Sequence, residues 1–431
     1  MRRLTLGPLP PLSGEVRLPG SKSLSNRYLL LSALAEGTTV LEGLLDSDDV
    51  RAMEGALRQL GVGLSEISAT SISVAGLGGN APPPASAALH LGNSGTSMRS
   101  LAAAVCALGG SYELDGVQRM RERPIGDLVD GLRPLLAEGG SIRYLGSEGF
   151  PPLRILSRGL RGGRARIKGS TSSQFLTGLL LAAPLSAEAV EIEVDGELIS
   201  KPYVDITVRL MERFGVDVER DGYRLFRVRP AKYRAPGTIA VEGDASSASY
   251  FLAFGALGGP VRVLGCGTDS VQGDAAFAGV LERMGARVER GADWIECRSP
   301  ASGILRALDI DMVDMPDAAM TLATLCLFAA GTTTIGGIGS WRVKETERVV
   351  AMRDQLRRLG AEVEEGPDWI RITPPRRIPP AEIETYDDHR MAMAFSLAAA
   401  AAPTTILDPD CTSKTFPGFF QELARLARTS I

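Results

Sequence analysis

The chain has 431 residues, 44% hydrophobic and 23% charged, with 47 Lys and Arg against 51 Asp and Glu and a formal net charge of −4. That length allows two or three domains, and the near-balance excludes a global field that would draw nucleic acid or an anionic membrane. With only His90 and His389, a His-rich zinc site is also excluded.

The five cysteines (Cys106, Cys266, Cys297, Cys326 and Cys411) are scattered and form no CxxC. That usage fits a reducing, cytoplasmic setting. Met1-Arg2-Arg3 is followed by Gly7, Pro8, Pro10 and Pro11, so no signal-peptide core is seen. The apolar run MAMAFSLAAAAAP from Met391 is shorter than the roughly 20 residues of a membrane span. Aromatic content is 5% without basic–aromatic alternation, so single-strand nucleic-acid binding has no support.

In chain order, six stretches share one plan. They are GSKSLSNRYLLLSALAEGTTV from Gly20, GNSGTSMRSLAAAVCALGGSY from Gly92, GSTSSQFLTGLLLAAPL from Gly169, GDASSASYFLAFGALGGPVRV from Gly243, MPDAAMTLATLCLFAAGTTTI from Met315 and YDDHRMAMAFSLAAAAAPTTI from Tyr386. Each has a small polar opening, a helix apolar nearly all round, and a break. The starts recur about every 71 to 77 residues.

Between them come amphipathic helices: VRAMEGALRQLGV, IGDLVDGLRPLLAEGG, ITVRLMERFGV, FAGVLERMGA and VVAMRDQLRRLGA. They end near Gly61, Gly140, Gly215, Gly285 and Gly360, and GFFQELARLART closes the chain. Alternating segments follow most of them, as strand pairs do. The repeated unit is therefore helix, strand, helix, strand, strand. A helix apolar all round must be buried on every side. The expected class is α/β: two domains of three units each, with central helices enclosed by sheets and outer helices.

The polar openings are helix starts, where free N–H groups and the dipole favour anions. Yet Lys22 and Arg27 stand at the first, with Ser21, Ser23 and Ser25 as possible caps. A bound anion shared with the dipole would reconcile those charges. Further cations lie at Arg99, Arg119, Arg121, Arg123, Arg342, Lys344, Arg348, Arg390 and Lys414. Asp317 opens one helix, where the dipole favours its ionised form, and Asp387 and Asp388 open another as possible caps. Glu345 stands among Arg342, Lys344 and Arg348. Carboxylates among cations around a polyanion suit proton transfer beside phosphate. No GxxxxGK[ST] is present, which points away from ATP hydrolysis.

The motifs LPGSKSLSNR, LGNSGTSMR, RERPIGDLVDGL, GSTSSQFLTGLLLAAPL, SKPYVDIT, VEGDASSASYFLA, MPDAAMT, WRVKETER, YDDHRMAM and CTSKTFPGFF span essentially the whole chain. Together they resemble the 5-enolpyruvylshikimate-3-phosphate synthases, most closely the glyphosate-sensitive group. The resemblance implies two domains closing like jaws, residues 1–21 with 243–431 and residues 22–242, with the active site in the cleft between them. It implies a monomer that moves the enolpyruvyl group of phosphoenolpyruvate to the 5-hydroxyl of shikimate 3-phosphate through a tetrahedral intermediate. It implies no metal and no organic cofactor.

By resemblance, shikimate 3-phosphate is bound by Lys22, Ser23, Arg27, Ser172, Ser173, Gln174, Ser200, Tyr203, Asp317, Ser340 and Lys344. Phosphoenolpyruvate or the leaving phosphate is bound by Lys22, Asn93, Gly95, Arg123, Gln174, Arg348, Arg390 and Lys414. Asp317 takes the hydroxyl proton, Glu345 exchanges protons with the methylene carbon, and Lys22 assists. Ser340 replaces the family's usual Asn, and Ser94, Ser97 and Ser100 stand where Ala, Ala and Pro are common. Gly95 keeps the space glyphosate needs, so glyphosate is the expected inhibitor, with Ser100 placed to weaken it. The rivals are the sister enolpyruvyl transferase acting on UDP-N-acetylglucosamine, whose reactive Cys is missing from SYELDGVQRMRER, and an anion-binding scaffold or RNA-end enzyme of related repeats.

Overall fold

The computed structural model describes residues 2–78 and 85–429. The chain divides into two compact units, Met1–Pro19 with Glu242–Ile431, and Gly20–Val241. The crossings fall at 19/20 and 241/242, one or two residues before the expected boundaries.

Among the described residues there are twelve α-helices: α1 (Lys22–Leu34), α2 (Asp48–Gln59), α3 (Gly95–Leu108), α4 (Gly126–Leu132), α5 (Ser173–Ala182), α6 (Lys201–Arg213), α7 (Ala245–Leu257), α8 (Phe277–Arg283), α9 (Ala319–Leu325), α10 (Arg348–Arg358), α11 (His389–Phe395) and α12 (Phe419–Ala427). None is long and apolar enough to cross a membrane. The odd-numbered helices are the ones apolar all round. Every residue of α7 but Leu257 is buried, as is all of α9 and α11. The even-numbered helices bury one stripe; α2 hides Val50, Met53, Ala56 and Leu57, at helical spacing.

Close approach explains glycines inside buried helices, where glycine costs about 1 kcal/mol relative to alanine. A Cβ on Gly255 of α7 would lie 2.4 Å from the Cys297 carbonyl oxygen, in a strand of the sheet beneath. A Cβ on Gly178 of α5 would lie 2.9 Å from the Arg99 carbonyl oxygen of α3.

The repeat holds one more strand than the sequence suggests. In the second, Ser86–His90 precedes α3 and runs parallel to Gly110–Asp115, which pairs antiparallel with Leu153–Ser157 and through it with Ser141–Tyr144. The third and fifth repeats share this four-stranded order. These leading strands are short, and those of the third and fifth repeats, Gly163–Lys168 (GRARIK) and Asp309–Asp311 (DID), carry charges on alternate residues and lack an apolar run.

The leading strands of the first and fourth repeats are exchanged. Gly14–Arg17, just ahead of α1 in the chain, lies parallel to Val261–Leu264, which follows α7. Thr238–Ala240, ahead of α7, lies parallel to Thr38–Glu42, which follows α1. Arg3–Leu6 completes the last sheet beside Thr404–Leu407 and Ala381–Ile383. The unit containing both termini is thus closed by strands from opposite ends of the chain.

One helix differs from expectation. IGDLVDGLRPLLAEGG yields only α4, followed by a 3₁₀ turn over Arg133–Leu135. Pro134 has no N–H to continue the helix. The positive φ in that loop falls on Gly139 (+81°) rather than Gly140. Helix α2, without such a proline, ends at Gly61 with φ +84°.

Candidate functional site

Within Gly20–Val241, three buried helices begin with a serine cap. Ser21 accepts from the Leu24 N–H, Ser94 from the Ser97 N–H and Ser172 from the Gln174 N–H. Lys22 and Ser23 form the first two residues of α1, and Ser173 and Gln174 those of α5. Gln174 Nε2 donates to Thr96 Oγ1 at 3.4 Å, joining the starts of α5 and α3. Arg123 Nη1 donates to both the carbonyl and the side-chain oxygen of Asn93, at 2.9 and 3.0 Å. Gly95 is crowded by arginines, since a Cβ there would lie 2.5 Å from Arg123 Nη2 and 2.8 Å from Arg99 Nη1.

The two cations at α1 have different surroundings. Arg27 lies beyond the first turn. It is buried and donates to Ser23 O, Tyr203 O, Thr177 Oγ1 and Thr207 Oγ1, all neutral oxygens. Burial lowers its pKa to about 10. Only Lys22 faces the dipole, and Asp49 Oδ2 lies 3.6 Å from its Nζ. The protein's own carboxylate offsets that repulsion.

The three arginines of QRMRERP separate. Arg119 pairs with Glu122 and Arg121 with Asp115 near the surface, while Arg123 turns inward to Asn93. Ser94, Ser97 and Asn26 form a buried chain. The two hydroxyls are 2.7 Å apart, Ser97 donates to Asn26 Oδ1 at 3.1 Å, and Asn26 Nδ2 donates to the Lys22 carbonyl at 3.1 Å. The two serines, conspicuous in the sequence, thereby tie the start of α3 to Lys22. Ser200 is buried at the start of α6 with φ +54° and does not cap that helix, while Tyr203 lies in its first turn.

In the unit containing both termini, Arg348 is the hub. Its Nη1 donates to Asp317 Oδ1 at 3.0 Å, its Nη2 to Glu345 Oε2 at 2.8 Å, and its Nε to Asp388 Oδ2 at 2.7 Å. Arg390 Nη2 reaches Asp317 Oδ2 at 2.9 Å. Lys344 Nζ lies 3.8 Å from Asp317, and Lys414 Nζ lies 3.6 Å from Glu345. Four cations therefore surround three carboxylates.

Asp317 does not cap a helix. Helix α9 starts two residues later, after Ala318. Burial pushes the Asp317 carboxyl up, but Arg390, Lys344 and Arg348 outweigh it and hold it well below the usual carboxylate range. The cations, not the helix dipole, keep it ionised. Trp341, fully buried, donates its Nε1–H to the Pro316 carbonyl at 2.6 Å and fixes the backbone beside Asp317. Of the two aspartates before α11, only Asp388 caps it, accepting from the Arg390 N–H at 2.9 Å.

The site residues are not all drawn into these contacts. Arg342 pairs with Glu347 and donates to the Pro367 and Gly366 carbonyls. Ser340 lies on the 3₁₀ turn Gly339–Val343 and, among the described residues, makes no hydrogen bond to the Arg348 cluster. Sequence reasoning missed Asp49 and Tyr250, whose hydroxyl accepts from Arg390 at 3.3 Å, and saw Asp388 only as a cap. It also missed buried Asp274. Burial and then Asp317 raise its pKa to about 6, although Ser246 donates to it. A tyrosine inside the polar opening SSASYF was the available signal for Tyr250; Asp274 carried none.

A family model described as EPSP synthase (3-phosphoshikimate 1-carboxyvinyltransferase) matches residues 7–423. The chain belongs to the EPSP synthase family. It is 57% identical over 439 residues to the 3-phosphoshikimate 1-carboxyvinyltransferase of Ralstonia nicotianae, covering 99% of this chain and all of that one. It is 56% identical to that of Cupriavidus taiwanensis, with the same coverage, and 54% to that of Yersinia pestis, over 99% of each chain. Among solved structures, EPSP synthase from Acinetobacter baumannii matches with a TM-score of 0.80 at 28% identity over 98% of each chain. The enolpyruvyl transferase NikO from Streptomyces tendae shares the fold, with a TM-score of 0.75 at 20% identity over 98% of this chain and 96% of that one. The family assigns the chain to enolpyruvyl transfer in the shikimate pathway, with phosphoenolpyruvate and shikimate 3-phosphate as substrates. Transfer to a UDP-sugar is not favoured.

Proposed function

We propose that the residues of the two clusters serve one reaction, the transfer of the enolpyruvyl group of phosphoenolpyruvate to shikimate 3-phosphate. The carrying observation is the Arg348 hub, which gathers Asp317, Glu345, Asp388, Arg390, Lys344 and Lys414 into one network around a buried guanidinium. Shikimate 3-phosphate is held by Lys22, Ser23, Arg27, Ser172, Ser173, Gln174, Ser200, Tyr203, Ser340 and Lys344. Phosphoenolpyruvate is held by Lys22, Asn93, Gly95, Arg123, Gln174, Arg348, Arg390 and Lys414.

Asp317 takes the proton of the 5-hydroxyl as its oxygen bonds to C2 of phosphoenolpyruvate, while Glu345, entering this step as the carboxylic acid, gives its proton to C3 and is left as the carboxylate. Glu345 then removes a proton from the resulting methyl group, the C2–O bond to phosphate breaks, and the double bond reforms. A carboxylate held as low as Asp317 is a weak base. Substrate anions on Arg390, Lys344 and Arg348 offset the cations that hold it down, so its proton affinity rises when the substrates arrive. Lys22 supports the developing charge. No metal or organic cofactor enters this scheme.

We further propose inhibition by glyphosate beside Gly95 and Arg123, a monomeric state and a cytoplasmic location. The test is phosphate release from phosphoenolpyruvate with and without shikimate 3-phosphate, repeated with glyphosate. Release that needs the second substrate and is suppressed by glyphosate supports the reading. Release without shikimate 3-phosphate, or none with a folded protein, overturns it.

A further inference from the structure

Gln355 lies seven residues after Arg348 on α10 and is fully buried. Both ends of its amide are engaged. Its Nε2 donates to the Tyr386 hydroxyl at 2.9 Å, and its Oε1 accepts from the Glu384 N–H at 3.0 Å. Arg348, at the start of the same helix, holds the Asp388 carboxylate. One helix therefore grips both flanks of the segment from Glu384 to Asp388.

Between those grips, Tyr386 and Asp387 have φ of +55° and +54°. Side-chain-bearing residues rarely adopt this conformation, and two in succession persist only where the surroundings over-determine them. The turn sets the direction of Asp388. That residue in turn orients Arg348 and, by accepting the Arg390 N–H, the start of α11. Thr385 supports the same segment, donating its hydroxyl to the Leu407 carbonyl at 2.8 Å.

We propose that Gln355 is a positioning residue for the anion-binding arginines Arg348 and Arg390, acting through the Tyr386–Asp387 turn and Asp388. It rests on the assignment of those arginines to phosphoenolpyruvate. Without the amide, the Glu384 N–H loses its partner and the turn relaxes toward the ordinary helical region. Asp388 then no longer meets Arg348 squarely. A bound anion is felt first, because both arginines must point at it together. An amide that merely satisfies the core would give a different signature, with lower thermal stability and unchanged affinity.

The experiment uses the full chain with Gln355→Met, Tyr386→Phe and the double variant, reading KM for each substrate, kcat and Tm. For Gln355→Met, KM for phosphoenolpyruvate should rise about tenfold, with KM for shikimate 3-phosphate changed less than about twofold. Tyr386→Phe should shift in the same direction by less, and the double variant should be no worse than Gln355→Met, because the two residues act in series. A lower Tm with unchanged KM for phosphoenolpyruvate would overturn the proposal. Should Gln355→Met fail to fold, Tyr386→Phe decides by the same readout. Arg390→Lys is the control for the underlying assignment: if it too leaves KM for phosphoenolpyruvate unchanged, the arginine assignment has failed; if it raises KM while the Gln355 and Tyr386 variants do not, only this proposal has.

Discussion

The Arg348 guanidinium lies edge-on to the Asp388 carboxylate, with Nε 2.7 Å from Oδ2 and Nη2 3.3 Å from Oδ1, and neither side chain is more than 1% exposed. Removing one partner of a buried pair costs about 3–5 kcal/mol where the other charge is left uncompensated, and because Asp317 and Glu345 still face Arg348 the lower end applies here. Asparagine can still cap α11. Asp388→Asn should therefore isolate the loss of charge and lower stability by about 3 kcal/mol, read as a lower Tm. An unchanged Tm would show that Asp317 and Glu345 suffice to hold Arg348.

Glu345 sits between Arg348 at 2.8 Å and Lys414 at 3.6 Å. Glutamine matches its shape but cannot exchange a proton. Glu345→Gln should cut kcat by about 100-fold or more. Binding of shikimate 3-phosphate, measured by calorimetry, should change less than about twofold. A comparable loss of binding would assign Glu345 to holding the substrate instead.

The Asp317 carboxyl has its folded pKa below its ordinary value of 3.8, so the stability it contributes is present above that value. That contribution falls away as pH drops toward the lower folded value. The stability difference between the protein and Asp317→Asn should be flat above about pH 5 and shrink below about pH 4. Urea unfolding across that range checks it, and a difference that grows on acidification contradicts the sign.

Asp274 behaves oppositely. Its folded pKa, raised to about 6 by burial and by Asp317, favours folding at low pH, and that benefit is lost as pH rises from its ordinary 3.8 through about 6. Asp274→Asn should gain stability relative to the parent between about pH 4 and pH 6. In Asp317→Asn, the carbon-13 titration midpoint of Asp274 should move down, because a like charge has gone. An unmoved midpoint would show that the two carboxylates do not interact.

Gly95→Ala would press its methyl on Arg123 Nη2, the far end of a flexible side chain, so the protein should fold normally. Arg123 must then shift from Asn93. KM for phosphoenolpyruvate should rise about tenfold, and inhibition by glyphosate should weaken by more than that factor. Equal shifts for substrate and inhibitor would show that the missing Cβ confers no discrimination.

Much was legible without coordinates, because it is written in local periodicity. Helices such as SSASYFLAFGAL are apolar on every face and had to be buried; DQLRRLGA carries one apolar stripe and had to face water. The polar openings, the caps at Ser21 and Asp388, and the ten family motifs are all contiguous stretches. Residue type and spacing suffice to read them.

What depended on tertiary structure joins residues far apart in the chain. No local pattern says that Gly14–Arg17 pairs beyond α7 or that Thr238–Ala240 returns to Thr38–Glu42, because strand partners are chosen by the sheet that needs an edge completed. Nor does the sequence distinguish Arg123 from Arg119 and Arg121, or show that Arg348 meets Asp317, Glu345 and Asp388 at once. Charge type is a property of a residue. Whether that charge is spent on a surface partner or held at a buried junction depends on neighbours 30 to 40 positions away, and only folding brings them within hydrogen-bond reach.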